Sequence, residues 1–450
     1  MRHRNEGVGI GRIAARWTTL AVFLSAVSCS GNLLDVPNPQ AFGTAALDNA
    51  VILQTVTNGA EGLLHQAWSG YIIVTELNSD EIMSTSTWID WEDISFGRLR
   101  HDWATAGSFS APQDAILRTR FAAQDAQVRV QNVLGAKAAT SAMNAQTLMV
   151  DAISDLLLGM GWCESPLSAN AVRSPSSAII AQSITKFTKA IAAAQAITGD
   201  AASLAKWTGV GYAGRARANL LAGNLAAAAA DAAQVPAGFE YDAIYAEGAS
   251  TTQSQTGNQF NQNRNRSGGL RDILQSRVHV IDSTTTYEAY VTDWYAPTKD
   301  DHRMAVMRTA KQLGVNNHTP YYGITKYASR SAPIRMFSAI EATLIQAEVA
   351  MKGGDFTTET NLLNSLRTRA GVGLAPVPVP ATAAAAQTFL LNERMAELFV
   401  EGYRQMDLYR FNLVTPTLGP GRATLLPLSL NEILANPKMT LGAGTCPSIS

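Results

Sequence analysis

Helical periodicity occupies four long stretches of this chain, at about residues 45–78, 113–160, 175–234 and 335–411, with polar, less regular sequence between them. This pattern confines the chain to a mainly α architecture, because each amphipathic stretch must bury its apolar stripe against another element. Composition narrows the packing further. Charged residues make up 16% of the 450 residues, below the usual share of about 25%. Alanine-rich runs such as Leu225 to Ala233 account for much of the difference. Alanine favours helix and lets helix axes approach closely, so the scaffold should consist of paired helices. With 46% apolar residues, the chain can bury a large core in one domain or two. A net charge of −1 offers no basic surface for nucleic acid.

Two segments carry a weak repeat. Ala216 stands eight residues before Asn224, and Ala347 stands eight before Asp355. In each, a helix ends at glycine and an Asn or Asp is placed to cap the next helix. The second helices run through Ala226–Ala233 and Leu362–Ala370. This spacing fits a tetratricopeptide-like helix–turn–helix unit, and a generic helical hairpin fits it equally.

Two stretches break the helical pattern. Residues 79–112 hold Trp88, Trp91 and Trp103 among Ser, Thr and Asp, and residues 237–333 are rich in Gln, Asn, Gly, Thr and Tyr. Long irregular excursions from a compact scaffold are commonly functional.

The most distinctive wording lies near the C-terminus, from Asn392 to Arg410. Leu391, Met395, Leu398 and Phe399 form one apolar face, and Glu397, Glu401, Arg404, Asp407 and Arg410 follow three or four apart, a spacing that pairs opposite charges along a helix. Gly402 interrupts the pattern and suits a bend packed closely on a neighbour. The segment resembles the E-R-x-x-E-L-x-x-E-G-x-R-x-x-D-L-x-R signature of the SusD/RagB family. Further segments resemble that family in the same order: Asn78-Ser79-Asp80-Glu81 with the tryptophan-rich stretch after it, Gly159 to Leu167, Asp301-His302-Arg303 with Lys326-Tyr327, and Leu426 to Pro437. The resemblance implies a SusD-like helical scaffold with long ligand-binding loops. It also implies a non-enzymatic surface lipoprotein that captures an oligosaccharide or similar nutrient for a SusC-type TonB-dependent outer-membrane barrel, with no cofactor.

The N-terminus agrees with export. Arg2, Arg4, Arg12 and Arg16 precede an apolar run from Trp17 to Val27, which is too short for a comfortable membrane span. Ala26-Val27-Ser28-Cys29 resembles a lipobox, giving a signal peptide at 1–28, a lipid anchor on Cys29, a tether at 29–44 and a binding domain at 45–450. Cys163 and Cys446 then remain, either bridged in an oxidising compartment or as free thiols. Their spacing does not suit a metal site.

Sugar recognition needs flat aromatic faces for ring C–H surfaces and polar side chains for hydroxyls. The expected ligand contacts are therefore Trp88, Asp90, Trp91, Trp103, Trp294, Tyr295, Tyr321 and Tyr322, though each of the aromatics could instead anchor its own loop. Two rival functions stand beside this one. A ligand-free helical scaffold would dock only protein partners. A glycoside hydrolase would need two carboxyl groups at a set separation, for which Asp80, Glu81, Asp90, Glu92 and Asp93 are candidates. No His-Glu-x-x-His or G-x-S-x-G pattern is present.

Overall fold

The computed structural model describes residues 47–99, 107–246, 258, 267–278 and 287–442. The expected signal and tether, Cys29, Trp103 and Cys446 lie outside these residues. The chain divides into two units, Met1–Asn49 and Ala50–Ser450, and everything below belongs to the second.

Eleven helices are labelled here: α1 (Leu53–Leu77), α2 (Ile89–Ser95), α3 (Gly107–Leu134), α4 (Ala142–Gly161), α5 (Ser176–Gln195), α6 (Ala201–Leu221), α7 (Leu225–Ala232), α8 (Ala339–Lys352), α9 (Phe356–Arg367), α10 (Ala383–Glu397) and α11 (Arg404–Arg410). From α3 to α10 each packs on the next, and α1 lies against α3 and α4. Most of α4 is buried on every side, from Met149 to Gly161, as befits a helix at the centre of a stack. Along α5, Ile180, Phe187, Ile191 and Ala194 are buried at the spacing of one helical face.

The two repeat units become neighbours. Ala216 and Leu220 of α6, Ala228 and Ala232 of α7, and Ala342 and Ile345 of α8 close one small apolar cluster, so hairpins separated by a hundred residues of sequence stack directly. Asp355 caps α9 as expected, accepting from the Thr358 amide at 2.9 Å. Asn224 does not cap α7 with its side chain, which instead donates to Asn219.

The two stretches read as irregular contain short strands and helices among their described residues. Residues 79–112 contain β1 (Ile82–Ser84), α2 and the start of α3. Small β2 (Glu164–Pro166) and β3 (Arg173–Pro175) pair with each other beside α4. Residues 237–333 contain β4 (Glu240–Ala243), β5 (Gly268–Leu270), β6 (Tyr287–Thr292), β7 (Asp300–Leu313) and β8 (Pro320–Ile324), and β9 (Ile334–Ser338) follows. All pairings are antiparallel: β1 with β5, β4 with β9, and β6–β7–β8 as a three-stranded sheet. Ala289 and Val291 on β6, like Met304 and Val306 on β7, are buried at a period of two. The polar residues alternating with them masked the strands.

The C-terminal signature works as a hub instead of one salt-bridged helix. Its apolar residues Leu391, Met395, Leu398 and Phe399 are all buried. Its charges, however, reach away from it. Glu397 holds Arg303 and Arg369, Glu401 holds Lys326 and Arg335, Arg404 holds Asp80, and Arg410 holds Glu348. Among the five expected to pair locally, Asp407–Arg410 at 2.8 Å does so. The reason is the bend: α10 stops at Glu397, Val400 and Gly402 take φ of 50° and 80°, and α11 starts on a new axis. Gly402 lies against the Tyr71 ring of α1, and Gly161 at the end of α4 lies against the opposite edge of the same ring.

The Asn78–Glu81 motif meets that bend. Glu76 accepts from the Gly402 amide at 2.7 Å and Glu81 from the Val400 amide at 2.6 Å, while Asn78 donates to Gln405. Burial pushes the Glu76 carboxyl up to about 7, and burial together with Glu76 raises neighbouring Glu81 as well. Between pH about 4.5 and about 7 the folded chain therefore holds more protons here than the unfolded chain, so this pair's contribution to stability falls as pH rises through that window. Glu76→Gln keeps an acceptor for the Gly402 amide and cannot ionise. Unfolding free energies from urea titration at pH 5 and pH 8 should differ less in this variant than in the parent, by about 1–3 kcal/mol. Equal differences in the two proteins would contradict the assignment.

Candidate ligand-binding site

The segment after α1 is fixed by backbone pairing. β1 runs antiparallel to β5, the Thr85 amide donates to the Ser267 carbonyl at 2.9 Å, and the Asn316 amide donates to the Thr85 carbonyl at 3.1 Å. Three distant pieces of chain are thus tied together: the end of β1, the start of β5 and the β7–β8 loop. The next turn places Trp88 immediately before α2, its amide held by Ser86 Oγ at 3.1 Å.

Trp88 is 48% exposed, whereas Trp91 is 8% exposed. The rings meet edge to face at 5.3 Å between centroids, an arrangement that holds the outer indole on the inner one. Trp91 lies within 3.5 Å of the point where a side chain on Gly268 would begin, and the same point on Gly269 lies 3.0 Å from the Tyr322 carbonyl oxygen. The Trp88–Trp91 pair therefore lies against one side of β5, and the other side rests on the Tyr322 backbone of β8. The β7–β8 loop reaches the same segment through the Asn316–Thr85 bond, and within it Asn316 accepts from the amides of His318 and Thr319. Asp90, partly buried, accepts from the Trp91 amide at 3.0 Å and so steadies the turn.

The seven expected contacts among the described residues do not converge. Tyr321, 2% exposed, faces the core and cannot reach a solute, because adjacent strand residues point to opposite sides. Trp294 and Tyr295 sit in the β6–β7 turn. On β7, Asp300 stands opposite Thr292 while Arg308 stands opposite Tyr322, so roughly 25 Å of strand separates that turn from Tyr322. There the Arg277 guanidinium lies 5.0 Å over Trp294, and Tyr295 rests edge-on against Phe389 while accepting from Asn392 at 3.2 Å. Tyr295 thus anchors the turn to α10, and Trp294 packs under Arg277. At this end of the sheet the structure brings together Trp88 and Trp91, with Asp90 in support. Sequence reading missed Gly268, Gly269 and Asn316, whose proximity to Trp91 depends on strand pairing that it had not recognised.

Three of the five carboxylates considered for hydrolysis are engaged elsewhere. Asp80 is bound to Arg404 at 2.6 Å and Glu81 to the Val400 amide, both in the interior, while Asp93 holds Arg98 at 2.9 Å. Among the described residues no cluster of His, Cys, Asp or Glu could hold a metal ion, and no helix is long and apolar enough to cross a membrane. Cys163 is disulfide-bonded.

Comparisons with known proteins place this arrangement in context. The family model described as "SusD family" matches residues 241–439. A SusD superfamily protein from Bacteroides vulgatus superposes with a TM-score of 0.63 at 14% identity, over 87% of this chain and 98% of its own. Surface glycan-binding protein A from Bacteroides fluxus gives 0.61 at 13% identity over 89% and 99%, and a laminarin-binding SusD-like protein gives 0.56 at 15% over 87% and 99%. At these identities the likeness is one of fold. A search of curated proteins returns no match.

Proposed function

We propose that this chain, which belongs to the SusD family through residues 241–439 and has that family's fold, is a non-catalytic binding protein that captures an oligosaccharide outside the cell. One observation carries this reading: a half-exposed indole, Trp88, braced by a buried one. Such a surface covers the apolar face of a sugar ring while Asn316, Asn317 and His318 meet its hydroxyls. The glycan-binding and laminarin-binding names of two proteins with this fold support it. In the same reading, lipid on Cys29 anchors the protein at the outer membrane, and the bound glycan passes to a SusC-type TonB-dependent barrel.

Calorimetric titration of the full chain with neutral β-1,3-linked and α-1,4-linked gluco-oligosaccharides tests the proposal. Saturable heat with the sugar recovered intact is the expected result. Shortened products would assign a hydrolase, and silence towards every glycan would leave a protein-docking scaffold.

A further inference from the structure

A cavity of about 410 Å³ opens beside β7 and β8, lined by His302, Arg303, Lys326, Arg335, Arg369 and Glu397. That volume falls within the roughly 300–1,000 Å³ of ordinary small-molecule sites. Its charges are layered. The side chains of Glu397 and Glu401 are 1% and 2% exposed, whereas their partners Arg369, Lys326 and Arg335 are 31%, 22% and 16% exposed. Each of these carboxylates faces two cations from behind, so an entering solute meets positive charge first and at shorter range.

Among the described residues, donor capacity remains on the solvent side. Arg303 is fully engaged by Asp301, Glu393 and Glu397 and serves only as wall. Arg335 donates through Nε and Nη2, and its Nη1 comes no nearer than 3.7 Å to rim residue Glu240. Lys326 donates to the Phe399 carbonyl and to Glu401, which leaves one of its three N–H bonds. Arg369 uses its two Nη atoms on Leu366 and Glu397, leaving Nε. Thr325 Oγ1, buried in the same wall, has no hydrogen-bond partner among the described residues. The exposed His302 ring is held 4.3 Å from that of Tyr290.

We infer that this cavity binds the oxyanion substituent of an acidic sugar, the carboxylate of a hexuronate or a sulfate ester. Arg335, Arg369 and Lys326 supply charge-assisted hydrogen bonds, and His302 meets a ring hydroxyl. The inference rests on the glycan-binding reading and deepens it, because it adds a second site selective for charge.

Titration with glucuronate, glucose and inorganic sulfate, on the full chain and three variants, tests it. Glucuronate should bind at least tenfold more tightly than glucose or sulfate. Arg369→Gln should weaken it at least tenfold, and Arg369→Lys, which keeps the charge, should stay within about threefold of the parent. Glu397 keeps Arg303 in either variant, and an unchanged urea midpoint confirms that the fold survives. Trp88→Ala should leave glucuronate binding intact, so failure of the aromatic site is read separately from failure of this one. Equal affinity for glucose, equal affinity for sulfate, or full binding by Arg369→Gln in a folded protein would each overturn the inference.

Discussion

Replacing Arg367 with alanine should lower the stability of the fold by about 3–5 kcal/mol, the usual consequence of removing one partner from a buried ion pair. Arg367 is fully buried at the end of α9. It donates to Asp293 at 2.8 Å and to Glu393 at 2.5 Å, and those carboxylates are 1% and 0% exposed. Without the guanidinium, Glu393 retains Arg303 at 2.7 Å, but Asp293 loses its ion-pair partner. The same cation holds the β6–β7 turn to α9 and α10, so the loss should also loosen Trp294 and Tyr295. Arg404→Ala removes a similar pair, with Asp80 at 2.6 Å, and should have a comparable effect at the other end of the hub. Urea unfolding followed by far-ultraviolet dichroism reads both. A shift below about 1 kcal/mol, the range of exposed ion pairs, would show that these sites are wetter than described.

Gly402→Ala should cost about 2–5 kcal/mol through two additive strains. The residue has φ of 80°, where a side chain adds roughly 1–2 kcal/mol. A methyl group there would also stand 2.8 Å from the Tyr71 ring and 3.3 Å from Ile72, and crowding of a packed core typically adds about 1–3 kcal/mol. Tyr71 cannot retreat. It is fully buried, stacks on Trp68 at 5.3 Å, and faces Gly161 on its other edge, where a side chain would likewise begin 2.8 Å from the ring. Gly62, on an exposed part of α1 with open space around it, supplies the control. Gly62→Ala should be neutral or stabilising by up to about 1 kcal/mol. Similar losses in both variants would mean that helix propensity, and not the clasp on Tyr71, governs the first result.

The helical part of this fold was readable because burial imposes a period of 3.6 on long amphipathic runs, and Ala216, Leu220, Ala228 and Ala232 obey it. Gly402 was readable as a bend for the same reason: it breaks a pattern that is otherwise regular. The partners of the charged residues were not readable. Spacing of three or four suggests local pairs, yet Glu397 and Glu401 find Arg303, Arg369, Lys326 and Arg335 on other elements, because the chain turns between α10 and α11. The strands were hidden by the opposite problem. β7 buries Met304 and Val306 but sets His302 and Arg303 around them, so its alternation resembles a polar loop. Had β8 been recognised, neighbouring Tyr321 and Tyr322 would not both have been assigned to one groove. The aromatic candidates separated for that reason, and the cationic cavity beside the same sheet was not foreseen.

The most direct measurement is a paired titration of Trp88→Ala and Tyr295→Ala with whichever neutral oligosaccharide the parent protein binds. Both rings are partly exposed, at 48% and 39%, but they lie on opposite ends of the β-hairpin. Trp88→Ala should weaken binding at least tenfold, a loss of about 1.4 kcal/mol or more, while Tyr295→Ala leaves it within about twofold. The reverse pattern would place the glycan at the other end of the sheet and contradict the account.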